Sequence, residues 1–189
     1  MPAILQLRIR ACHVRGRFAC RDNVAPRVSA RHPMSEPAAF DYAKLAHPPV
    51  VFRHEKVKIE ERLPAARRRI VERRLNEVFE GARDDLGIVV LGGLYNSLVR
   101  ALAQFGLADA FGASTLPILV LNVVHPLVPE EIVSFCEGKR AVLVLEEGSP
   151  EFVEQEILAI LRRAGAATEI EGKGPLPRTG EYSVEAIAR

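Results

Sequence analysis

The sequence predicts an α/β fold: an open, mostly parallel sheet with crossover helices, preceded by an extended irregular arm. Three observations predict it. The apolar runs LGIVVLGG from Leu86, PILVLNVVHP from Pro117 and RAVLVLEEG from Arg140 do not alternate with polar residues, as expected of strands buried on both faces. Helical patterns separate these runs, which is the order of parallel strands joined by crossovers. Residues 16–49, by contrast, carry Pro26, Pro33, Pro37, Pro48 and Pro49 and hold no helical period.

Taken along the chain, AILQLRIR at residues 3–10 sets Ile4, Leu5, Leu7 and Ile9 among polar positions and reads as a short strand. The irregular stretch after it is longer than loops inside compact domains usually are, and reads as a linker or an arm lying on something else. After Pro64, Val71, Leu75, Val78 and Phe79 recur at helical spacing, with Arg67, Arg68, Arg73 and Arg74 on the opposite face. The first buried strand follows Gly87, and Leu94, Leu98, Ala101, Leu102 and Phe105 then line one face of a helix that stops near Gly106. Beyond the second strand, Pro129 stands in the first turn of a short helix with Gly138 just past its end. Beyond the third, Ser149 reads as an N-cap with Pro150 at the first helical position. Val153, Ile157, Ile160 and Leu161 form that helix's buried face and Gly165 ends it. ATEIEG adds a final short strand, so the α/β unit spans residues 84–172.

A length of 189 residues with 48% hydrophobic side chains suits one domain with an extra arm and excludes a multi-domain enzyme. Cys12, Cys20 and Cys136 are too scattered for a disulfide framework, so reduced thiols and a cytoplasmic location are expected. No apolar run approaches the ~20 residues that span a bilayer, and no membrane partner is expected. The near-neutral total hides an asymmetry: residues 1–80 hold 17 Lys and Arg against 9 Asp and Glu, and residues 81–189 hold 9 against 15. The basic excess is largely a solvated helix face. No nucleic-acid partner is expected, because no aromatic residues interleave with the arginines as a stacking platform.

Ligands of open α/β sheets bind outside the carboxyl ends of the strands. Those ends nominate Gly92, Gly93, Tyr95 and Asn96 after the first strand, Asn122 and His125 after the second, and Glu146 and Glu147 after the third. Each has two readings. Gly92 and Gly93 either bring backbone N–H groups to an anion or allow tight packing at the turn. The spacing is neither a dinucleotide fingerprint nor a P-loop. His125 either transfers a proton near neutral pH or shapes a His-Pro turn. Glu146 and Glu147 either bind a ligand hydroxyl or basic partner, or suit the dipole of the next helix. No catalytic residue stands out, and Cys12, His13 and Cys20 fit no common metal site. Cys136, one turn from Ile132, reads as a core residue.

Several phrases in order, LQLRIRACHVRG, HEKVKIEERLPAA, LGIVVLGGLYNSLVRAL, LNVVHPLVPEEI, VLVLEEGSPEFVEQEI and GKGPLPRTGEYS, resemble consecutive parts of the large (alpha) subunit of indolepyruvate ferredoxin oxidoreductases. These are thiamine-diphosphate enzymes of the 2-oxoacid ferredoxin oxidoreductase group. The resemblance implies three parts. Residues 1–20 resemble the last strand of a pyrimidine-binding thiamine domain, residues 21–83 a linker or arm with one helix, and residues 84–189 an α/β domain similar to the C-terminal domain of transketolase. It implies oxidative decarboxylation of arylpyruvates to acyl-coenzyme A, with thiamine diphosphate, magnesium, iron–sulfur clusters and coenzyme A as the parent enzyme's cofactors.

The sequence departs from that pattern. It has no GDG motif for the pyrophosphate and magnesium and no CxxCxxCxxxC run for a cluster. The expectation is therefore an internal fragment, inactive alone and binding no cofactor by itself. It would serve as a structural and inter-domain scaffold whose partners are the remaining domains or subunits, with ferredoxin reached indirectly. The alternative expectation is a stand-alone α/β module for a small anionic or acyl-carrier ligand.

Overall fold

A computed structural model describes Ala19, Asp22 and residues 41–189. The strand expected at residues 3–10, most of the arm, and Cys12, His13 and Cys20 lie outside the described residues. From Lys44 to Arg189 the chain forms one compact unit.

A short 3-10 turn, Tyr42–Lys44, precedes a helical run that begins at α1 (Val50–Val57), well before Pro64. The run widens into a π turn at Lys58–Arg62 and continues as α2 (Leu63–Glu72). Pro64 explains the widening. Its nitrogen has no proton to donate and its ring crowds the carbonyl one turn back, so the ladder shifts and the Leu63 N–H donates to the Lys58 carbonyl.

The helix predicted through Phe79 stops at Glu72. Arg74 adopts φ 48, the chain reverses, and Glu77–Phe79 becomes strand β1. Val71, Leu75, Val78 and Phe79 are consequently 37–53% exposed, and Ile70, at 3%, is the side chain that enters the core. The sheet wins over the helical period because β1 finds a partner, with Glu77, Val78 and Phe79 opposite Val120, Leu119 and Ile118.

The predicted α/β alternation follows. β2 (Leu86–Leu91) leads through a 3-10 turn at Gly92–Leu94 into α3 (Tyr95–Gln104), then β3 (Ile118–Leu121), α4 (Pro129–Cys136), β4 (Ala141–Leu145), α5 (Phe152–Ala164) and β5 (Glu169–Glu171). A four-residue helix, α6 (Val184–Ile187), comes last. The strand order is β1-β3-β2-β4-β5, with β2 through β5 parallel and β1 antiparallel at one edge. The fold class expected from the sequence, an open and mostly parallel sheet with crossover helices, is the one observed.

Burial on both faces accounts for the unbroken apolar runs. Val89, Leu119, Leu121, Val142 and Val144 face α4 and α5, whose Ile132, Phe135, Ile157 and Leu161 complete one core cluster. Ile88, Val90, Ile118, Val120 and Leu145 face α3, with Leu94, Leu98 and Leu102, in the second. Each such Leu or Ile contributes about 1.5–3 kcal/mol relative to exposure. Phe105, expected on the buried face of α3, is instead 59% exposed. The helix ends one residue earlier, and Leu107 turns in to pack against the cluster. Gly165, as expected, ends α5 in the left-handed region at φ 68.

Candidate functional site at the strand ends

The chain runs from β2 to β3 on one side and returns past β2 to β4 on the other, so the topological switch point lies between β2 and β4. A ligand of an open α/β sheet would bind at that crevice. The nominated residues after β2 and β4 flank it, and the chain's own C-terminal segment occupies it.

Glu146, the first residue past β4, is 7% exposed. Its carboxylate accepts from the Val153 N–H at 3.0 Å and the Glu154 N–H at 3.1 Å. It therefore caps α5, the role the sequence assigned to Ser149. That assignment fails because Ser149 and Pro150 precede the helix, which begins at Phe152 after Glu151. A carboxylate reaching back from the strand end satisfies free amides and complements the helix dipole.

Glu147, half-buried, accepts from the Tyr182 N–H at 2.8 Å. Tyr182 is 1% exposed and packs in the α3 cluster with Val90, Leu94 and Leu145. Its hydroxyl donates to the Pro177 carbonyl and accepts from Lys173 Nζ at 2.7 Å. The Lys173 ammonium is 5% exposed, donates also to the Glu146 carbonyl, and lies 4.6 Å from the centre of the Tyr182 ring. The Lys173 N–H donates to Glu154 Oε2 at 3.0 Å. Among the described residues no buried side-chain nitrogen or oxygen lacks a hydrogen-bond partner, as a buried network requires.

The residues after β2 divide. A Cβ on Gly92 would stand 2.5 Å from Asn122 Oδ1, so that glycine permits a close approach between the ends of β2 and β3. Asn122 Nδ2 then donates to the Leu75 carbonyl at 2.9 Å and to Glu77 Oε2 at 2.8 Å. Gly93 faces open space. Tyr95 stacks on Phe79 with ring centroids 5.2 Å apart. Asn96 and His125 are exposed, Asn96 on α3 and His125 in the loop after β3. The structure thus joins Gly92 to Asn122 and Tyr95 to β1, and draws Glu146 and Glu147 into the C-terminal network. Asn96, His125 and Gly93 converge on nothing among the described residues.

Three residues that the sequence reading passed over complete the region. Lys173 and Tyr182 stand in the GKGPLPRTGEYS phrase, but nothing local ties them to β4. Asn76, 8% exposed, accepts from the Val123 N–H at 3.0 Å and donates to Glu131 Oε2 at 2.8 Å, fastening the chain before β1 to the end of β3. Cys136 is fully buried, as expected, and burial pushes its thiol up to about 11. Among the described residues no three His, Cys, Asp or Glu side chains stand together as metal ligands, and no helix is long and apolar enough to cross a membrane.

Fold and site together define an open α/β domain whose strand-end crevice is closed by its own tail. Residues 75–162 match the family described as the indolepyruvate ferredoxin oxidoreductase middle domain. The whole chain aligns with indolepyruvate oxidoreductase subunit IorA of Methanothermobacter thermautotrophicus at 30% identity and of Methanothermobacter marburgensis at 28%, spanning 29% of the length of each. Similar solved structures include a split-gene transketolase described as an inactive beta4 tetramer, at 18% identity and TM-score 0.45, covering 60% of this chain and 38% of that one. A 2-oxoglutarate:ferredoxin oxidoreductase from Magnetococcus marinus is similar at 17% identity and TM-score 0.40, covering 60% and 18%. The resemblance read from the motifs is therefore shown, carried by the family match over residues 75–162 and by the alignment of the whole chain with the two IorA subunits.

Proposed function

We propose that this chain is part of an oxidoreductase resembling indolepyruvate ferredoxin oxidoreductase, and that it acts there as a structural and inter-domain scaffold. The reaction of the whole would be oxidative decarboxylation of an arylpyruvate to an acyl-coenzyme A with reduction of ferredoxin. In such an enzyme cofactors carry the chemistry and protein segments position them. Residues 84–189 would be the transketolase-C-like unit, residues 21–83 the connecting arm and residues 1–20 the end of a thiamine domain. The remaining domains or subunits would be its direct partners, in the cytoplasm.

One observation carries this reading. The crevice where a ligand of such a sheet would lie holds Lys173 and Tyr182, and both carboxylates at its edge are committed to backbone N–H groups. The residues present do not fit thiamine diphosphate, magnesium or an iron–sulfur cluster. The sequence has no GDG motif, its three cysteines form no CxxCxxCxxxC run, and Cys136 is buried.

The purified chain, supplied with thiamine diphosphate, magnesium and coenzyme A, is expected to leave indolepyruvate unchanged and to give no binding heat with either cofactor. Grafted in place of the matching segment of a Methanothermobacter subunit, it is expected to support assembly. Turnover by the isolated chain, or tight binding of coenzyme A, would overturn the scaffold and favour a stand-alone module.

A further inference from the structure

Among the described residues, one face of the sheet is short of a helix. α4 and α5 cover one side, whereas on the other α3 packs over β2 and β3, with Leu94, Leu98 and Leu102 against Ile88, Val90, Ile118 and Val120. Neighbouring strands are about 4.8 Å apart, so β4 and β5 leave beside α3 a strip about 10 Å wide, the diameter of one helix. The chain's own tail fills only the part near the carboxyl ends, where Tyr182 and Leu176 join the cluster that buries Leu145. Toward the other end the four-residue α6 brings Ile187 to an open apolar hollow of about 350 Å³. Its lining includes Leu86, Leu116, Ala141 and Leu143, each half-buried, and Phe105, 59% exposed.

The outer edge of this hollow is acidic. Side chains of a strand alternate between faces, and Ile170 packs with α4 and α5 on the far side, so Glu169 and Glu171 stand on the side of the hollow, paired with Ala141 and Leu143. Glu171 lines the hollow, and both glutamates are exposed. Neither carboxylate enters a hydrogen bond or an ion pair among the described residues. Glu185, two residues before Ile187 on α6, is exposed as well. Of the nearby cations, Arg83 is held by Asp85 at 2.7 Å, Arg189 neighbours Glu185, and Arg140 precedes Ala141.

We infer that a basic amphipathic helix from another domain of the same oxidoreductase docks beside α3 in this hollow, its apolar side over Leu143, Phe105 and Ile187 and its Lys or Arg side chains on Glu169 and Glu171. Two features select this occupant. The open strip has the width of one helix and is apolar where it is deepest, which suits one apolar helix side. The unpaired carboxylates stand along its outer edge, where the flanking positions of such a helix pass, so cations are favoured there and like charges disfavoured. Covering Leu143 and Phe105 supplies the apolar centre of the contact, and the glutamates supply its polar rim. The inference rests on the scaffold reading only for the source of the helix.

The probe is a synthetic helix of about 15 residues with leucine on one side and lysine on the other, and its counterpart carries glutamate in place of lysine. Binding to the full chain is read by fluorescence anisotropy and located by amide chemical shifts. Neither readout involves turnover or assembly, so failure here is distinct from failure of the scaffold reading. The lysine peptide is expected to bind at least about tenfold more tightly than the glutamate peptide, and to shift the amides of Ala141, Leu143 and Ile187. Glu169→Lys and Glu171→Lys, both at exposed positions, are each expected to narrow that preference about threefold. Phe105→Ala is expected to weaken both peptides, and Glu137→Lys, just past α4 on the covered side of the sheet, to change neither. All four variants are expected to keep the circular dichroism spectrum of the parent. The inference is overturned if the lysine peptide does not bind or if the shifted amides lie elsewhere. It is overturned equally if Glu137→Lys lowers the affinity as much as Glu171→Lys does, since any acidic surface would then serve.

Discussion

Lys173 Nζ donates to the Tyr182 hydroxyl at 2.7 Å with both side chains buried, and this contact fastens the C-terminal segment to the carboxyl end of β4. The two partners are not equivalent. Tyr182→Phe keeps the ring but leaves a buried ammonium one acceptor short, and is expected to cost about 1–3 kcal/mol. Lys173→Met removes the charge together with its needs, and the Tyr182 hydroxyl still has the Pro177 carbonyl, so the loss is expected to be smaller. Urea denaturation of the two variants, compared at unchanged m, checks the order.

Glu146 replaces the predicted serine cap, so its charge is expected to matter as well as its oxygen atoms. Glu146→Gln retains an acceptor for the Val153 N–H and should cost about 0.3–1 kcal/mol through the helix dipole. Glu146→Ala leaves the amides of Val153 and Glu154 without their acceptor and should cost about 1–3 kcal/mol. Hydrogen exchange at those two amides is expected to accelerate in the alanine variant only; equal exchange in both would remove Glu146 as the cap.

The two adjacent glycines are expected to behave differently. Gly92→Ala drives a methyl group against Asn122 Oδ1 and disturbs the bonds from Asn122 to Leu75 and Glu77, with an expected loss of about 1–3 kcal/mol. Gly93→Ala meets no atom within 4 Å and should stay within about 0.5 kcal/mol of the parent. Thermal denaturation of the pair separates packing at Gly92 from any general intolerance of the turn.

Cys136 ties stability to alkaline pH. Its folded thiol ionises near 11 against an ordinary 9.0, because burial disfavours the thiolate. The unfolded chain therefore releases this proton first as pH rises. The stabilising contribution is complete below pH 9.0 and is lost between 9.0 and about 11. Cys136→Ala is expected to flatten that part of the stability profile relative to the parent, both measured with Cys12 and Cys20 replaced by serine. Identical slopes would show that the thiol does not titrate differently on folding.

Sequence alone determined the α/β alternation, the three central strands, the buried face of α5, the glycine that ends α5 and the burial of Cys136. Each is written in neighbouring residues: apolar runs of strand length, helical spacing, a proline in the first turn, a glycine past the last. It also carried the family resemblance, through phrases kept in order. Tertiary structure decided the rest. Val78 and Phe79 satisfy a helical period and a strand equally well, and the free edge of β3 chose the strand. Glu146 outcompeted Ser149 as a cap because the end of β4 points its carboxylate at α5. The strand-end crevice was nominated from local pattern, but its occupants, Lys173 and Tyr182, lie 27 residues beyond Glu146 and 35 beyond Glu147. Periodicity reports what a residue does with its neighbours along the chain. A hydrogen bond across such a separation exists only after the sheet has brought its ends together, so no local pattern announces it.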